Sequence, residues 1–305
     1  MIATYRSLVD PDALATAVDK AYGIRVRSCE LLRSLVNDVY RVETVDGPLA
    51  FKLYRAGHRT LDEVGWEVRV AEAAGEVMAQ GVWLADGSPA GQIPTAEGVR
   101  PYALWQWAAG RKPEPPFSDN LFRRYGAGTA AFHAACDRAD LPPRRFDVMD
   151  ALGWPLDEVL ERVGRQDRAT FTRVVAAARA RLSDLELDQG ICHGDVSLDN
   201  LHTDGDRVVF YDLDRAGNGC RAADLTGVAS TEGFAAFLEG YRSVRSFSAD
   251  DLAAIPWLSV VDLVGNLHFH LVDKPKLRGS ESIGEGWADR DLQALRAAAE
   301  RLTAQ

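Results

Sequence analysis

Three polar residues in the second half of the chain have the spacing of a site for a metal ion and phosphates. Asp195 and Asn200 stand five positions apart, directly after the apolar pair Ile191-Cys192, and Asp212 stands 17 positions after Asp195. If the short strands between Asn200 and Asp212 pair as a hairpin, these two residues come side by side at its open end. Side-chain oxygens of this kind hold Mg²⁺ together with phosphate oxygens. We therefore predict that Asn200 and Asp212 bind a metal ion.

Asp195 is the residue of this segment best suited to proton transfer. The residues from His193 to Asn200 follow the pattern H-x-D-x-x-x-x-N, which together with a later magnesium aspartate makes the catalytic loop of phosphoryl-transfer enzymes. An aspartate in that place receives or orients the hydroxyl proton of an acceptor. The alternative interpretation is that Asp195 and Asn200 only cap turns, as these residue types often do.

A lysine in the first half of the chain provides an independent test of the phosphoryl-transfer interpretation. Lys52 lies in the apolar segment 49–54, which predicts a largely buried strand, and buried lysine is rare unless it is paired. Glu67 falls inside the apolar stripe of the helix that follows, where an unpaired carboxylate would be costly. We predict that Lys52 pairs with Glu67, with Glu63 as the second choice. The alternative is that Lys52 lies on an edge strand and reaches solvent, and that Glu67 is exposed.

These motifs resemble those of the aminoglycoside phosphotransferase and choline kinase-like family, relatives of protein kinases that phosphorylate small molecules. The matching residues are His193-Gly194-Asp195, Asn200, Tyr211-Asp212-Leu213-Asp214, Lys52 and Glu67, within a resemblance that extends from about Leu32 to Tyr241. The resemblance implies an α+β, two-lobed protein-kinase-like fold. Its N-terminal lobe is small, antiparallel and β-rich with one long helix, and its C-terminal lobe is larger and mostly helical.

A helix in the middle of the chain adds to the resemblance. Residues 131–135, Ala-Phe-His-Ala-Ala, are similar to a helix of the family that ends in His-Ala-Ala, and the homoserine-kinase-like and antibiotic kinase branches are the most similar ones. We expect a structural role for His133, because it lies on a helix face that should pack beneath the catalytic loop.

The resemblance implies a role for each matched residue. Lys52 would contact the α and β phosphates of ATP, and Glu67 would anchor that lysine. Asp195 would be the catalytic base, while Asn200 and Asp212 would bind Mg²⁺. GTP is the alternative nucleotide.

The loop expected to cover the phosphates departs from the family pattern. Residues 34–40 match its position but contain no G-x-G-x-x-G. Backbone N–H groups, Ser34 or Asn37 could still contact the phosphates there. Asp214 resembles a second acidic residue of the family motif, and it either supports Asp212 or stays solvated.

The order of elements fits a division into two lobes. A hairpin at Asp46-Gly47, a helix over 61–80 and further short strands precede a half that is rich in helices. We predict an N-terminal nucleotide-binding lobe at 1–104, a hinge at 105–112 and a catalytic and acceptor-binding lobe at 113–305. By the resemblance, the backbone of 102–107, which includes Trp105 and Trp107, would hydrogen-bond the adenine edge. The helices predicted in the second half are 118–136, 167–187, 225–241, 249–272 and 289–302.

Two absences from the motif favour a small acceptor over a protein substrate. No lysine stands two positions after Asp195, and only 12 positions separate Asp212 from Asp224, too few for a long activation segment. Asp262, Asn266 and His270 recur at helical spacing, and these polar groups either read a hydroxylated or cationic substrate or form a solvated helix edge. Most tryptophans should lie in hydrophobic cores, although Trp257 or Trp287 could form one side of the acceptor site.

Composition excludes several other classes of protein. The formal net charge of -10 and a pI near 5.2 argue against nucleic acid as a partner. The four cysteines contain no C-x-x-C pair, which indicates free thiols in a reducing compartment. The chain has no signal-peptide pattern and no run of 18 apolar residues, so we expect a cytoplasmic protein without a membrane partner.

We therefore predict an ATP- and Mg²⁺-dependent O-phosphotransferase that acts on a hydroxyl of a small molecule. The acceptor could be an aminoglycoside or other antibiotic, homoserine, or a similar amine-bearing metabolite, and the oligomeric state stays open. No G-x-x-x-x-G-K-[ST] motif occurs, which removes the P-loop kinases. Two alternatives remain: a kinase for Ser or Thr of a peptide in natural-product maturation, and a pseudokinase that binds nucleotide without turnover.

Overall fold

A computed structural model describes residues 4–144 and 148–303 of the chain. The chain divides into two compact units. The first comprises Met1–Phe117, Ala134–Pro142 and Leu198–Asp214, and the second comprises Ser118–His133, Pro143–Ser197 and Arg215–Gln305. The hairpin that carries Asn200 and Asp212 is thus part of the first unit, although the division predicted from the sequence assigned it to the second. The boundaries 1–104, 105–112 and 113–305 stay a prediction.

The first unit is built on one antiparallel sheet. Its strands are β1 (Val26–Ser34), β2 (Asp38–Thr44), β3 (Gly47–Leu53), β4 (Gly81–Val82), β5 (Gly91–Thr95) and β6 (Gly98–Gln106). The strand order is β1-β2-β3-β6-β4, with β5 also paired to β6. The predicted hairpin is confirmed, with its turn one residue earlier than expected, because Thr44 pairs with Gly47 and Gly47 already belongs to β3.

Two helices belong to this unit. The first, α1 (Pro11–Tyr22), buries Leu14 and Val18 against the sheet core around Tyr40 and Phe51. The second, α2 (Leu61–Ala74), ends at Gly75, whose φ of 65° provides the C-terminal cap. The prediction that this helix runs to residue 80 was therefore wrong. A short 3₁₀ turn at Gly75–Val77 follows it, and β4 begins at Gly81.

A second hairpin in this unit consists of β8 (Leu201–Asp204) and β9 (Arg207–Phe210). The two strands pair as the predicted hairpin, beginning with Leu201 opposite Phe210. The backbone N–H of Ala79 donates to the carbonyl of Phe210 at 2.8 Å, and Arg111 and Thr203 exchange backbone hydrogen bonds of 3.0 and 2.8 Å. These bonds fix the hairpin to the segments that follow α2 and β6.

Helices dominate the second unit. They are α3 (Asp119–Cys136), whose last residues fall in the first unit, α4 (Trp154–Arg162), α5 (Arg165–Ser183), α6 (Thr226–Ala229), α7 (Phe234–Arg242), α8 (Ala249–His268), α9 (Lys274–Arg278) and α10 (Trp287–Thr303). The helix predicted over 225–241 is two short helices, α6 and α7, and the one predicted over 249–272 ends at His268, where the π-helix Phe269–Asp273 begins.

The core of this unit lies between α5, α8 and α10. Phe171, Val174, Val261, Val264 and Leu295 are among its fully buried side chains. Burial of this apolar surface is the main contribution to the stability of the helical unit. The helical run Ala249–Arg278 is also long and apolar enough to cross a membrane by length and composition, and 44% of its most apolar window is buried within the protein.

Candidate active site

The loop with Asp195 follows β7 (Gln189–Cys192), which pairs with β10 (Gly217–Cys220) in the second unit. Gly194 has a φ of 80°, and a Cβ atom there would stand 2.1 Å from the carbonyl oxygen of Arg215. A left-handed backbone and so close an approach both require glycine. The G of the H-G-D motif therefore sets the turn that presents Asp195.

A buried carboxylate missed from the sequence supports this loop from below. Asp224 accepts hydrogen bonds from the backbone N–H groups of His193 and Gly194 at 2.7 and 2.8 Å. Its Oδ2 also lies 2.9 Å from Nε2 of His133, whose Nδ1 lies 2.9 Å from the hydroxyl of Tyr241. Burial alone would raise the pKa of Asp224, but these hydrogen bonds and the two histidines lower it. The expected structural role of His133 thus has a clear geometric basis.

Asn200 and Asp212 flank the last pair of the β8–β9 hairpin. The N–H of Tyr211 donates to the carbonyl of Asn200 at 3.0 Å, which brings the two neighbouring side chains to the same end of the hairpin. Asp212 has a φ of 70° and is the only non-glycine residue with positive φ among residues 4–144 and 148–303. Such backbone strain is often concentrated at functional sites.

The donor set at this hairpin end suits a hard cation. A carboxylate and an amide oxygen are the ligand types that Mg²⁺ prefers, and phosphate oxygens and water complete its octahedral shell. Over the described part of the chain, no group of three or more His, Cys, Asp or Glu side chains is arranged to hold a metal by itself. The residues present therefore fit a metal that is carried in part by a phosphate ligand.

Lys52 reaches the same place from β3. The strand is paired with β2 and β6 on its two sides, and Lys52 is only 7% exposed. Its Nζ donates to Oδ1 of Asp212 at 2.6 Å. Burial alone would lower the pKa of Lys52, but the carboxylates of Asp212, Asp214 and Glu67 together raise it. The first unit thus brings together the phosphate-binding and metal-binding residues predicted from the sequence.

The ion pair of Lys52 with Asp212 was not predicted from the sequence. The charge of Glu67 also helps to raise the pKa of Lys52, and the role of Glu67 as the anchor of this lysine stays a prediction. Tyr54 stands two positions after Lys52, one residue beyond the end of β3. Its ring lies under the ammonium, 4.8 Å from Nζ to the ring centroid, and its hydroxyl donates to the fully buried Glu67. The second choice, Glu63, accepts the N–H of Thr60 in a helix capping box.

The second acidic residue of the motif, Asp214, is held by three residues from two segments of the first unit. Nδ2 of Asn37 donates to its Oδ2 at 3.1 Å, and Nε2 of His58 lies 3.2 Å from the same oxygen. Arg59 donates to its carbonyl at 2.6 Å and contacts Oδ1 at 3.4 Å. Burial would raise the pKa of Asp214, whereas Lys52 and His58 lower it well below the ordinary range.

Ser34 and Asn37, the residues expected near the phosphates, lie at the β1–β2 loop. The hydroxyl of Ser34 contacts the carboxylate of Asp38 and accepts from Nη2 of Arg55 at 3.2 Å. Asn37 is 7% exposed, and its Oδ1 accepts the N–H of Arg55 at 3.4 Å. Both side chains are therefore already engaged within the protein, and their contact with phosphates stays a prediction.

The segment expected to bind adenine is largely strand. Residues up to Gln106 belong to β6, and Trp105 pairs with Ala50 on one side and Gly81 on the other. Its indole packs against the cluster around Tyr54. Trp107 is the first residue after the strand, and the guanidinium of Arg41 lies 5.0 Å from its ring centroid. Within the segment 102–107, Trp107 is therefore the first residue whose backbone lies outside β6, and the backbone of Tyr102 is part of the strand.

The residues predicted to read the acceptor lie on α8 and just beyond it. Nδ2 of Asn266 donates to Oδ2 of Asp262 at 3.5 Å, and Arg215 lies 4.0 Å from the other oxygen. Burial and the charge of Asp195 raise the pKa of Asp262, against the effect of Arg215. His270 falls in the π-helix, so the predicted i, i+4, i+8 α-helical row ends before it.

A carboxylate on α10 extends this polar group. Asp291 lies 4.0 Å from Nε2 of His270, and its pKa is raised to about 6 by burial and by the charge of Asp262. The ring of Trp287 stacks on that of His270, with centroids 6.0 Å apart at an angle of 10°. Asp291 was missed because the sequence offers no link between α8 and α10.

Trp257 does not belong to this group. It stands five residues before Asp262 on α8, about 140° around the helix at 100° per residue. There it lines a cavity of about 310 Å³ with Arg173, Arg181 and Arg301 of α5 and α10. Of the two tryptophans proposed as a wall for the acceptor, Trp287 is the one beside the acidic residues.

A model of the phosphotransferase enzyme family matches residues 29–257, three quarters of the chain. The chain belongs to this family. A protein of Deinococcus radiodurans, itself uncharacterized, is 34% identical over 271 residues, which cover 82% of this chain and 79% of that protein. The predicted family and the prediction of an enzyme that transfers phosphoryl groups are confirmed.

Solved structures share the fold. The microcompartment-associated aminopropanol kinase superposes with a TM-score of 0.80 at 22% identity, covering 96% of this chain and 98% of its own. The amicoumacin kinase hAmiN, in complex with AMP-PNP, Ca²⁺ and Ami, has a TM-score of 0.73 at 19% identity, and the match covers 95% of this chain and 94% of that kinase. The predicted α+β, kinase-like fold is therefore confirmed.

Proposed function

We propose that this chain transfers the γ-phosphoryl group of ATP to a hydroxyl of a small molecule that also carries an amine, with Mg²⁺ as the metal and the cytoplasm as its location. The observation that carries the proposal is the 2.6 Å contact of Lys52 with Asp212, beside Asn200, within one unit. A buried cation next to a strained metal-type carboxylate is the arrangement that a nucleoside triphosphate and its metal need.

The nucleotide side of the reaction depends on three residues. Lys52 would leave Asp212 and contact the α and β phosphates, while Asn200 and Asp212 would hold Mg²⁺. When bound, the metal neutralises charge that develops on the transferred phosphoryl group and the leaving ADP. Preorganised charges of this kind, rather than covalent chemistry, account for most of the rate of phosphoryl transfer.

Asp195 would act on the acceptor. The acceptor oxygen forms a bond to the γ phosphorus while the bond from that phosphorus to the β–γ bridging oxygen breaks, and ADP leaves with the electron pair. The hydroxyl proton passes to a carboxylate oxygen of Asp195. Support from Asp224 beneath the loop keeps Asp195 in place, so the proton acceptor needs no rearrangement during the reaction.

The second unit also favours an acceptor with positive charge. Asp262 and Asp291 are close enough for the charge of one to raise the pKa of the other, and Asp195 raises the pKa of Asp262. An ammonium group would relieve this repulsion. A cation already lies nearby, because the guanidinium of Arg290 is 4.6 Å from the ring centroid of Trp287. Aminopropanol, the substrate in the name of one structural neighbour, combines a hydroxyl with such a group.

A radiolabelled transfer assay tests the proposal. Purified protein with [γ-³²P]ATP and Mg²⁺ is screened against amino alcohols, aminoglycosides, hydroxy amino acids and short Ser/Thr peptides. We expect a labelled small amine, and a rate that falls roughly 10²- to 10⁴-fold in Asp195→Asn because general-base catalysis contributes about that much. The matched control is Asp206→Asn, an exposed charge at the turn of the β8–β9 hairpin.

Three results would contradict the proposal. Labelled peptide with no labelled small molecule would indicate a protein-directed kinase. Tight ATP binding without transfer to any acceptor or to water would indicate a pseudokinase. Equal activity of Asp195→Asn and the parent protein would show that Asp195 is not the catalytic base. Replacing ATP with GTP in the same assay decides the nucleotide.

A further inference from the structure

We propose that Asp214 is a positioning residue that latches the β1–β2 loop and the segment 55–59 onto the end of the β8–β9 hairpin, so that the loop is in place before nucleotide binds. The proposal rests on the proposed function in one respect, namely that this loop covers the phosphates. Its structural part concerns the first unit alone and needs no bound nucleotide.

The latch has one bond from each of two segments to a single carboxylate oxygen. Oδ2 of Asp214 accepts from Nδ2 of Asn37 at 3.1 Å and lies 3.2 Å from Nε2 of His58. Arg59 adds contacts to the carbonyl and to Oδ1. The side chain of Asp214 is 14% exposed, so these contacts are shielded from solvent screening.

Asn37 connects the latch to the loop backbone. While its Nδ2 donates to Asp214, its Oδ1 accepts the N–H of Arg55, and its carbonyl accepts the N–H of Leu35 at 3.1 Å. The amide group therefore uses its donor and its acceptor to join the loop to both other segments. A substitution at Asn37 should release the loop without touching Lys52 or Asp212.

The base of the loop is pinned independently. Asp38 is fully buried and pairs with Nη2 of Arg55 at 2.9 Å and with Nη2 of Arg100 at 2.7 Å. A loop held by buried ion pairs at Asp38 and by the hydrogen bonds of Asn37 directly before it is already ordered. This explains how the segment can do without the glycines that let a flexible phosphate-covering loop fold onto its ligand.

The competing explanation is that Asp214 is a second metal ligand beside Asp212. Both of its carboxylate oxygens, however, face donors or cations of the protein, namely Asn37, His58 and Arg59. Metal binding there would require these contacts to break. The two explanations differ in which measurement a substitution changes, either the order of the loop or the dependence on Mg²⁺.

The first experiment is hydrogen–deuterium exchange on the nucleotide-free protein. Asn37→Asp places a carboxylate against Asp214, and we expect amides of residues 35–38 and 55–59 to exchange roughly tenfold faster. Adding Asp214→Asn restores a donor–acceptor pair with the roles reversed, so the double variant should recover much of the protection. Asp206→Asn, on the same hairpin, should exchange like the parent.

The second experiment measures steady-state kinetics with ATP and the acceptor found by the transfer assay. For Asn37→Asp we expect KM for ATP to rise about tenfold with a smaller change in kcat, and the reversed pair to regain part of that loss. His58→Gln, which keeps a hydrogen-bonding group, should give a smaller rise and guards against misfolding of the other variants.

Unchanged exchange in Asn37→Asp, or additive loss in the reversed pair, would overturn the latch. So would an Asp214→Asn variant that changes only the Mg²⁺ concentration needed for half-maximal rate. If the chain failed to transfer phosphate at all, the proposed function would fall, while the exchange experiment would still decide whether Asp214 holds the loop.

Discussion

Nζ of Lys52 donates to Oδ1 of Asp212 at 2.6 Å, so the cation expected to meet the nucleotide phosphates and the carboxylate expected to hold the metal neutralise each other. Lys52 is nearly buried, while the side chain of Asp212 is 42% exposed. The contact therefore keeps a buried charge paired in the absence of ligand. Under the proposed function, it would be exchanged for phosphate and metal contacts when nucleotide binds.

This pairing predicts thermodynamic coupling between the two residues. Asp212→Asn should destabilise the nucleotide-free protein by about 1–2 kcal/mol, because it leaves a buried lysine without its counter-ion, and the partial exposure of Asp212 keeps the value at the low end. Lys52→Met in addition should cost less than the sum of the two single changes. Urea denaturation of the four proteins gives the comparison, and strictly additive free energies of unfolding would show that the ion pair contributes nothing.

Tyr54 should matter more for stability than for chemistry. Tyr54→Phe removes the hydroxyl that donates to the buried carboxylate of Glu67 and should lower the free energy of unfolding by about 1–3 kcal/mol. The ring under Lys52 stays, so KM for ATP should change less than twofold. Tyr211→Phe, which removes a hydroxyl that donates to the backbone at the protein surface, is the control for loss of a phenol. A stability equal to that of the parent would contradict the role given to Tyr54.

Asp224 should affect turnover although it lies beneath the catalytic loop. An asparagine there offers one oxygen to the two N–H groups of His193 and Gly194, so the loop loses a bond and Asp195 shifts. We expect kcat to fall about 10- to 100-fold with little change in KM for ATP. Glu232→Gln, an exposed charge in the same unit, should behave as the parent. A rise in KM for ATP with kcat preserved would show that Asp224 does not position the base.

The same carboxylate predicts sensitivity to acid. The folded pKa of Asp224 is lowered, so its ionised form contributes stability that is fully present at neutral pH and is lost as the pH falls through about 4 and below. Between pH 6 and pH 3, the Tm of Asp224→Asn should therefore fall less than the Tm of the parent protein. Parallel Tm curves for the two proteins would argue against a lowered pKa.

Asp291 predicts the opposite dependence on pH. Its folded pKa of about 6 exceeds the ordinary value of about 4, so the stability lost on ionising this carboxyl grows as the pH rises above about 4 and reaches its full size above pH 6. The groups around it are Asp262, which raises the pKa, Arg290, which lowers it, and His270, whose own pKa is lowered by burial and by Lys274. Asp291→Asn should therefore raise stability by about 1–3 kcal/mol at pH 7.5, about half as much at pH 5, and very little at pH 3.5.

That gain should come with a loss of function. If Asp291 binds the amine, kcat/KM for an amino alcohol should fall about 10- to 100-fold, with KM for ATP unchanged. Asp289→Asn, two positions earlier and exposed, is the matched control. A more stable variant with full activity toward the amine would place amine recognition elsewhere.

The residues that the sequence predicts correctly are those positioned by short-range rules. A turn between two β-rich runs sets the register of a hairpin, which is why Asn200 and Asp212 could be placed side by side from their spacing. The structural role expected for His133 came instead from the family resemblance of residues 131–135. The lengths of α2 and α8 were less predictable, because Gly75 and the π-helix at 269–273 end regular helix within apolar sequence.

By itself the sequence determined the type of chemistry, since Lys52, Asp195, Asn200 and Asp212 occur in an order and spacing that few other reactions require. Only the tertiary structure decided which charges meet. Lys52 meets Asp212 beyond the end of the β8–β9 hairpin, the hydroxyl of Tyr54 donates to Glu67, and Asp291 joins Asp262 because α8 and α10 pack together. Electrostatic pairing depends on distances of a few ångströms between segments far apart in the chain, and no local pattern encodes them.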